Sequence, residues 1–164
     1  MTAVISQCGT YRYRLDRYLP EPWQRPPLVF VMLNPSTADA TKDDPTIRRC
    51  MGFARRELAA GIVVVNLYAL RSTDPAAIKT RLEPVGYEND EWIARAAKES
   101  GGELIAAWGA NAEPWRVKQV MAMPGINWRC LGVTKNGSPR HPLYVRADQP
   151  LREWPAQFNP RTFA

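Results

Sequence analysis

The chain has 164 residues, of which 45% are hydrophobic and 23% charged, the size and make-up of one ordinary globular domain. That argues against an enzyme built of separate cofactor and substrate domains, and against a disordered chain. The formal net charge is +6 and the pI is near 9.5, which favours a phosphate-bearing partner, a nucleic acid or nucleotide, over a cationic one.

The first regular pattern is the alternation of Tyr11, Tyr13 and Leu15 with Arg12, Arg14 and Asp16, which predicts a half-exposed strand at a sheet edge. Prolines 20, 22, 26 and 27 then break the chain. Leu28 to Leu33 is a continuous apolar run, the pattern of a strand covered on both faces. Asp44-Pro45 predicts a capped helix start, followed by Ile47, Cys50, Met51, Ala54 and Leu58 at helical spacing and by Gly61 as a stop. Ile62 to Tyr68 repeats the buried-strand pattern, and Ser72 to Pro75 offers a turn that opens a short helical segment. A helix capped by Asn89 carries Trp92, Ile93, Ala96 and Ala97 and ends at Gly101-Gly102. Glu103 to Trp108 is a third buried strand, a helix from near Pro114 turns Trp115, Val120 and Met121 inward, and Trp128 to Val133 is a fourth strand.

This alternation of strand and helix predicts a parallel sheet with helices on both faces. The whole chain, 1–164, reads as one α/β domain with its core over about 11–144. The tail from Pro150 to Ala164 is expected to wrap the surface, pinned by Trp154 and Phe158. No apolar stretch approaches the roughly 18 residues needed to cross a bilayer, and Met1 to Tyr11 lacks the layout of a secretion signal. No membrane partner is expected, and the expected location is cytoplasmic. Cys8, Cys50 and Cys130 stand far apart, which argues against a disulfide framework and a cysteine-rich zinc site.

Ligands of open parallel sheets bind beyond the carboxyl ends of the strands, and there the polar residues collect. Asn34 follows the first buried run, Asn66 sits near the end of the second, Trp108-Gly109 closes the third, and Thr134 to His141 follows the fourth. Each has a plain alternative. Asn34-Pro35-Ser36 also suits a strand-exit turn, Asn66 a core amide satisfied by backbone, and His141, the only histidine, a surface turn. As a site residue, Asn66 offers one donor and one acceptor, which suits a nucleobase edge. His141 with Asp39, Asp43 and Asp44 makes a poor transition-metal set and leaves at most a weak Mg²⁺ site. The sequence has neither a phosphate-binding glycine loop nor a dinucleotide or serine-hydrolase motif, and no cofactor is expected.

Leu33-Asn-Pro-Ser-Thr-Ala-Asp39, Asp44-Pro-Thr-Ile-Arg48, Val65-Asn-Leu-Tyr-Ala-Leu70, Ala107-Trp-Gly109 and Pro139-Arg-His-Pro-Leu-Tyr144 resemble the bacterial family called domain of unknown function 1643. In motif order the chain is also similar, more distantly, to the uracil-DNA glycosylase superfamily. That second resemblance implies a three-layer α/β/α sandwich around a four-stranded, mainly parallel sheet, here with the N-terminal edge strand added. It implies that Asn34, helped by Asp39, orients water, with Pro35 and Ser36 beside it. Asn66 would then select a base, Trp108-Gly109 belong to the third strand, and His141 stabilise the departing base. Lys135 and Arg140 would bind phosphates. Ser36 stands where that superfamily often has glycine, and Leu143-Tyr144 replaces its Ser-Pro-Leu. The implied activity is hydrolysis of an N-glycosidic bond in a nucleic acid or nucleoside; the alternative is a non-catalytic domain that binds a nucleobase or nucleotide. Phe53 is read as core rather than as a stacking partner.

Overall fold

Strands rich in Val, Ile, Leu and Phe lose least when both faces are covered, so they gather in the middle of a sheet. In a computed structural model, which describes residues 1–154, the middle strands are β3 (Leu28–Met32), β4 (Gly61–Asn66), β5 (Glu103–Ala106) and β6 (Asn127–Cys130). They pair parallel in the order β4-β3-β5-β6. The expected count of four strands and one edge strand is too low. Antiparallel strands β1 (Thr2–Ile5), β2 (Arg12–Tyr18) and β7 (Arg152–Glu153) enlarge the sheet to seven, in the order β1-β2-β4-β3-β5-β6-β7.

Alternate side chains of the central strands feed two cores. Phe30, Ile62, Val64 and Ile105 meet Ile47, Cys50, Phe53 and Ala54 of helix α1 (Pro45–Arg56). Val29, Val31, Val65 and Leu104 meet Ile93, Ala96 and Ala97 of α3 (Asn89–Glu99) and Val117 and Val120 of α4 (Pro114–Met121). A single turn, α2 (Ala77–Thr80), adds Ile78 to this second core. Helices thus cover both faces of a mixed α/β sheet. Among the described residues no helix is long and apolar enough to cross a membrane.

β2 is not the half-exposed edge strand its alternation suggests. It lies between β1 and β4, and all of its residues but Tyr18 are buried. Its charges are tolerated there because most are paired: Arg14 with Asp16 and Glu99 at 2.8 and 2.7 Å, and Arg17 with Asp43 at 2.6 Å. Arg17 also donates to the carbonyls of Asp39 and Lys42, so this strand holds the loop that runs from β3 to α1.

Three local expectations differ from the structure. Leu58 follows α1 instead of continuing it; with φ of 54° it leaves the helical path and is 45% exposed. Asn89 does not cap α3, whose N-cap is Glu88; its buried amide instead donates to the carbonyls of Asn66 and Leu67 at 2.8 and 3.1 Å. Trp115 points outward, 49% exposed, with its edge against Tyr68. In the tail, Trp154 is buried against Trp108 and Trp128, with ring centroids 5.2 and 6.4 Å away. Phe158 and the rest of the tail beyond residue 154 lie outside the described residues.

Candidate functional site

The carboxyl ends of β3, β4, β5 and β6 open onto one cleft of about 490 Å³, within the range of small-ligand sites. Asn34, Ser36, Asn66, Trp108, Gly109, Arg140 and His141 line it. Three sequence-derived candidates do not. Pro35 is buried outside the lining, Lys135 is exposed in the turn before Gly137, and Asp39 is spent on its own loop. One Asp39 oxygen accepts the Thr41 and Lys42 amides at 2.8 Å and the Thr41 hydroxyl at 3.1 Å, and these bonds hold its carboxyl below the ordinary value.

Asn34 continues β3 past its last ladder residue, and its amide nitrogen donates to the carbonyls of Pro35, Leu70 and Ser72 at 3.1, 3.3 and 2.9 Å. With the nitrogen committed to backbone, the oxygen is the atom left for a ligand. The Pro35 carbonyl also accepts the Ser72 amide at 2.9 Å, which ties the β3 exit to the segment after β4. Asn34→Asp keeps the shape but sets a carboxylate against three carbonyls. Leaving a carbonyl unpaired costs about 1–3 kcal/mol, and about 2–4 °C of Tm accompanies each kcal/mol in a chain of this size. Calorimetry should therefore show Tm lowered by several degrees; an unchanged Tm would mean that the amide does not hold this loop.

Asn66 ends β4 and is 1% exposed. Its own carbonyl is held by Asn89, and the next carbonyl, that of Leu67, accepts both Asn89 and Arg116 Nε, the latter at 2.7 Å. Arg116, fully buried, is in turn fixed by Asp90 at 2.5 Å. The strand end is thus rigidly placed, yet the Asn66 side-chain nitrogen is buried with no hydrogen-bond partner. A buried donor left unpaired is costly, and this one stands in the wall of the cleft.

His141 reaches the cleft on a loop folded back by a hairpin. Val133 bridges Pro139, the Arg140 amide donates to the Gly132 carbonyl at 2.9 Å, and the Gly109 amide donates to the Pro139 carbonyl at 2.9 Å. Gly109 takes φ of 76°, a conformation that glycine adopts without a Cβ penalty. The imidazole Nδ1 accepts the Leu143 amide at 3.3 Å, which leaves the proton on Nε2. Burial lowers the His141 pKa, while the Asp44 carboxylate acts in the opposite direction, so the ring is neutral at pH 7. Pro142–Tyr144 forms a 3₁₀ turn that leaves Tyr144 78% exposed at the mouth, its ring centroid 5.8 Å from that of His141.

Sequence reading missed two charged groups of the lining, Asp44 and Arg12. Asp44 is visible as a helix cap, and one of its oxygens does accept the Ile47 amide at 2.9 Å; its place in the cleft wall does not follow from that role. Arg12 was hidden by the alternation that made β2 look half exposed. Phe53 is core, 2% exposed beneath the sheet. Among the described residues no three His, Cys, Asp or Glu side chains stand close enough to hold a metal ion.

No curated protein and no solved structure matches the chain. Residues 12–143 match the model of a family described as protein of unknown function (DUF1643), and the chain belongs to that family.

Proposed function

We propose that the cleft holds a nucleobase and that the protein hydrolyses the N-glycosidic bond of a nucleoside, nucleotide or nucleic acid. The observation that carries this reading is the unpartnered, buried Asn66 amide in the same cleft as a neutral histidine with its proton on Nε2. An amide pairs with a base edge through one donor and one acceptor. The Nε2 proton of His141 suits the negative charge that develops on a departing base. The likeness of Asn34-Pro35, Val63 to Asn66, Trp108-Gly109 and His141-Pro142 to the uracil-DNA glycosylase superfamily supports the same assignment.

In this mechanism the Asn34 oxygen orients a water molecule toward the anomeric carbon. An amide is too weak a base to take the proton, and Asp39 is committed to its own loop. Asp44 lines the cleft and is the carboxylate we assign to accept it. The C–N bond breaks through an oxocarbenium-like state, its electrons pass to the base, and His141 stabilises that anion until it is protonated. Arg140, with Nε bonded to the Val133 carbonyl at 3.0 Å, is held at the rim for strand or nucleotide phosphates. Tyr144 offers an exposed ring on which a base can stack.

Incubation with nucleosides, nucleotides and single-stranded or duplex oligonucleotides carrying modified bases is expected to yield free base and, from oligonucleotides, abasic sites. Saturable binding without release of base from any substrate would retain base recognition and remove hydrolysis. That second reading, a non-catalytic base-binding domain, is favoured by the presence of an amide rather than a carboxylate at position 34.

A further inference from the structure

Four arginines on the sheet and its helices are buried, and three of them have carboxylate partners: Arg14 with Asp16, Arg17 with Asp43, and Arg116 with Asp90. Arg12 is the exception. It is 2% exposed, its Nη1 donates to the Ala38 carbonyl, and its Nε is buried with no hydrogen-bond partner. Among the described residues it forms no ion pair, and it lines the cleft described above.

Desolvation lowers its pKa to about 10, Arg71 and Arg17 push the same way, and Asp44 and Asp39 offset only part of this. The guanidinium therefore remains charged at neutral pH. A buried cation without a counter-ion is unfavourable, and that cost falls when an anion arrives. The hydroxyls of Ser36 and Thr73 line the same cleft and make no side-chain hydrogen bond among the described residues. Hydroxyl donors and a planar guanidinium in one cleft suit the several oxygens of a phosphate.

We propose that Arg12 is the seat of a phosphate, so that the cleft takes a base and a phosphate together and prefers nucleotides to nucleosides. The base half of this statement rests on the function proposed above; the phosphate half rests on Arg12 alone. The phosphate can belong to a free nucleotide or to a nucleic-acid strand, and both present the same oxyanion.

Calorimetric titration with the four nucleoside 5′-monophosphates, the four nucleosides, inorganic phosphate and a short single-stranded oligonucleotide separates these cases. At least one monophosphate is expected to bind 10-fold or more tightly than its nucleoside. Arg12→Gln should remove that advantage and leave the nucleoside affinity in place. A response to mononucleotides assigns the phosphate to a free nucleotide; a response to the oligonucleotide alone assigns it to a strand. Equal affinity for nucleoside and monophosphate with no response to the oligonucleotide, or a phosphate preference that survives Arg12→Gln, would overturn the proposal while leaving base binding intact. Phosphate binding that depends on Arg12, without any base or nucleoside binding, would retain the anion seat and remove the base reading. Should Arg12→Gln not fold, the wild-type Arg12 Nε–H resonance serves instead: it must shift on adding inorganic phosphate, and an unmoved resonance at saturation counts against the assignment.

Discussion

His141→Ala is expected to slow base release by about 10²–10³-fold, the usual loss when one donor to a developing anion is removed from a water-poor site. The expectation rests on the Leu143 amide, which donates to Nδ1 at 3.3 Å and so leaves the proton on Nε2, and on burial, which keeps the ring neutral. Single-turnover release should show the loss in the chemical step rather than in substrate affinity, and His141→Gln, which keeps an N–H donor, should recover part of it. The same residue makes stability depend on pH. Its folded pKa lies below the ordinary 6.5, so on acidification the unfolded chain binds this proton first. The stability associated with the neutral ring is fully present above about pH 6.5 and is lost as the pH falls through the folded pKa. The fall in Tm between pH 7 and pH 5 should be smaller in His141→Gln than in the wild type; equal slopes would mean that the ring is not desolvated, and undiminished release by His141→Ala would remove its role.

Phe30→Ala is expected to cost about 3–5 kcal/mol of folding stability, typical of an aromatic truncated in a closed core. Phe30 is 0% exposed at the centre of β3, where it contributes to the core beneath α1. Its strand pairs on one side with β4 and on the other with β5, so the sheet has little freedom to collapse into the void. For a domain whose total stability is about 5–15 kcal/mol, such a loss should shift the urea midpoint strongly without changing the slope of the transition. A shift equivalent to less than about 1 kcal/mol would mean that this core is not closed around Phe30. Because β3 leads directly into Asn34, the variant should also weaken whatever the cleft binds.

β3 and β4 are legible in the sequence because burial on two faces writes itself as an unbroken apolar run, as in Leu28 to Met32 and Ile62 to Val65; β6, which carries Asn127 and Arg129 and ends at Cys130 rather than Val133, is legible only in part. The flanking strands are not. Thr2–Ile5 and Arg152–Glu153 are too short for any period to emerge. The alternation in β2 identifies a strand but not its depth, because the partners that make its charges tolerable, Asp43 and Glu99, lie far along the chain. The same holds at the cleft. Asn34, Asn66 and Gly109 are legible because each stands at or just beyond a strand end, and strand ends of one parallel sheet share a rim; His141 is legible as the one histidine of the loop that follows β6, although a hairpin has to fold that loop back to the cleft. Asp44 and Arg12 are not, since a helix cap and an alternating arginine look alike in sequence whether or not a cavity lies beside them. Asp39 is the converse: its place in the motif suggests the rim, while its oxygen closes a local turn with Thr41 and Lys42.

The most direct test of a shared base site is the nuclear magnetic resonance of two groups during titration with bases and nucleosides: the side-chain NH₂ of Asn66 and the Nε2–H of His141. Both signals are expected to move together and to saturate at one affinity with the preferred ligand, as the unpaired amide gains its partner and the imidazole donor meets the same ring. Binding that shifts resonances elsewhere and leaves these two unmoved would contradict the site, as would no response across the full panel.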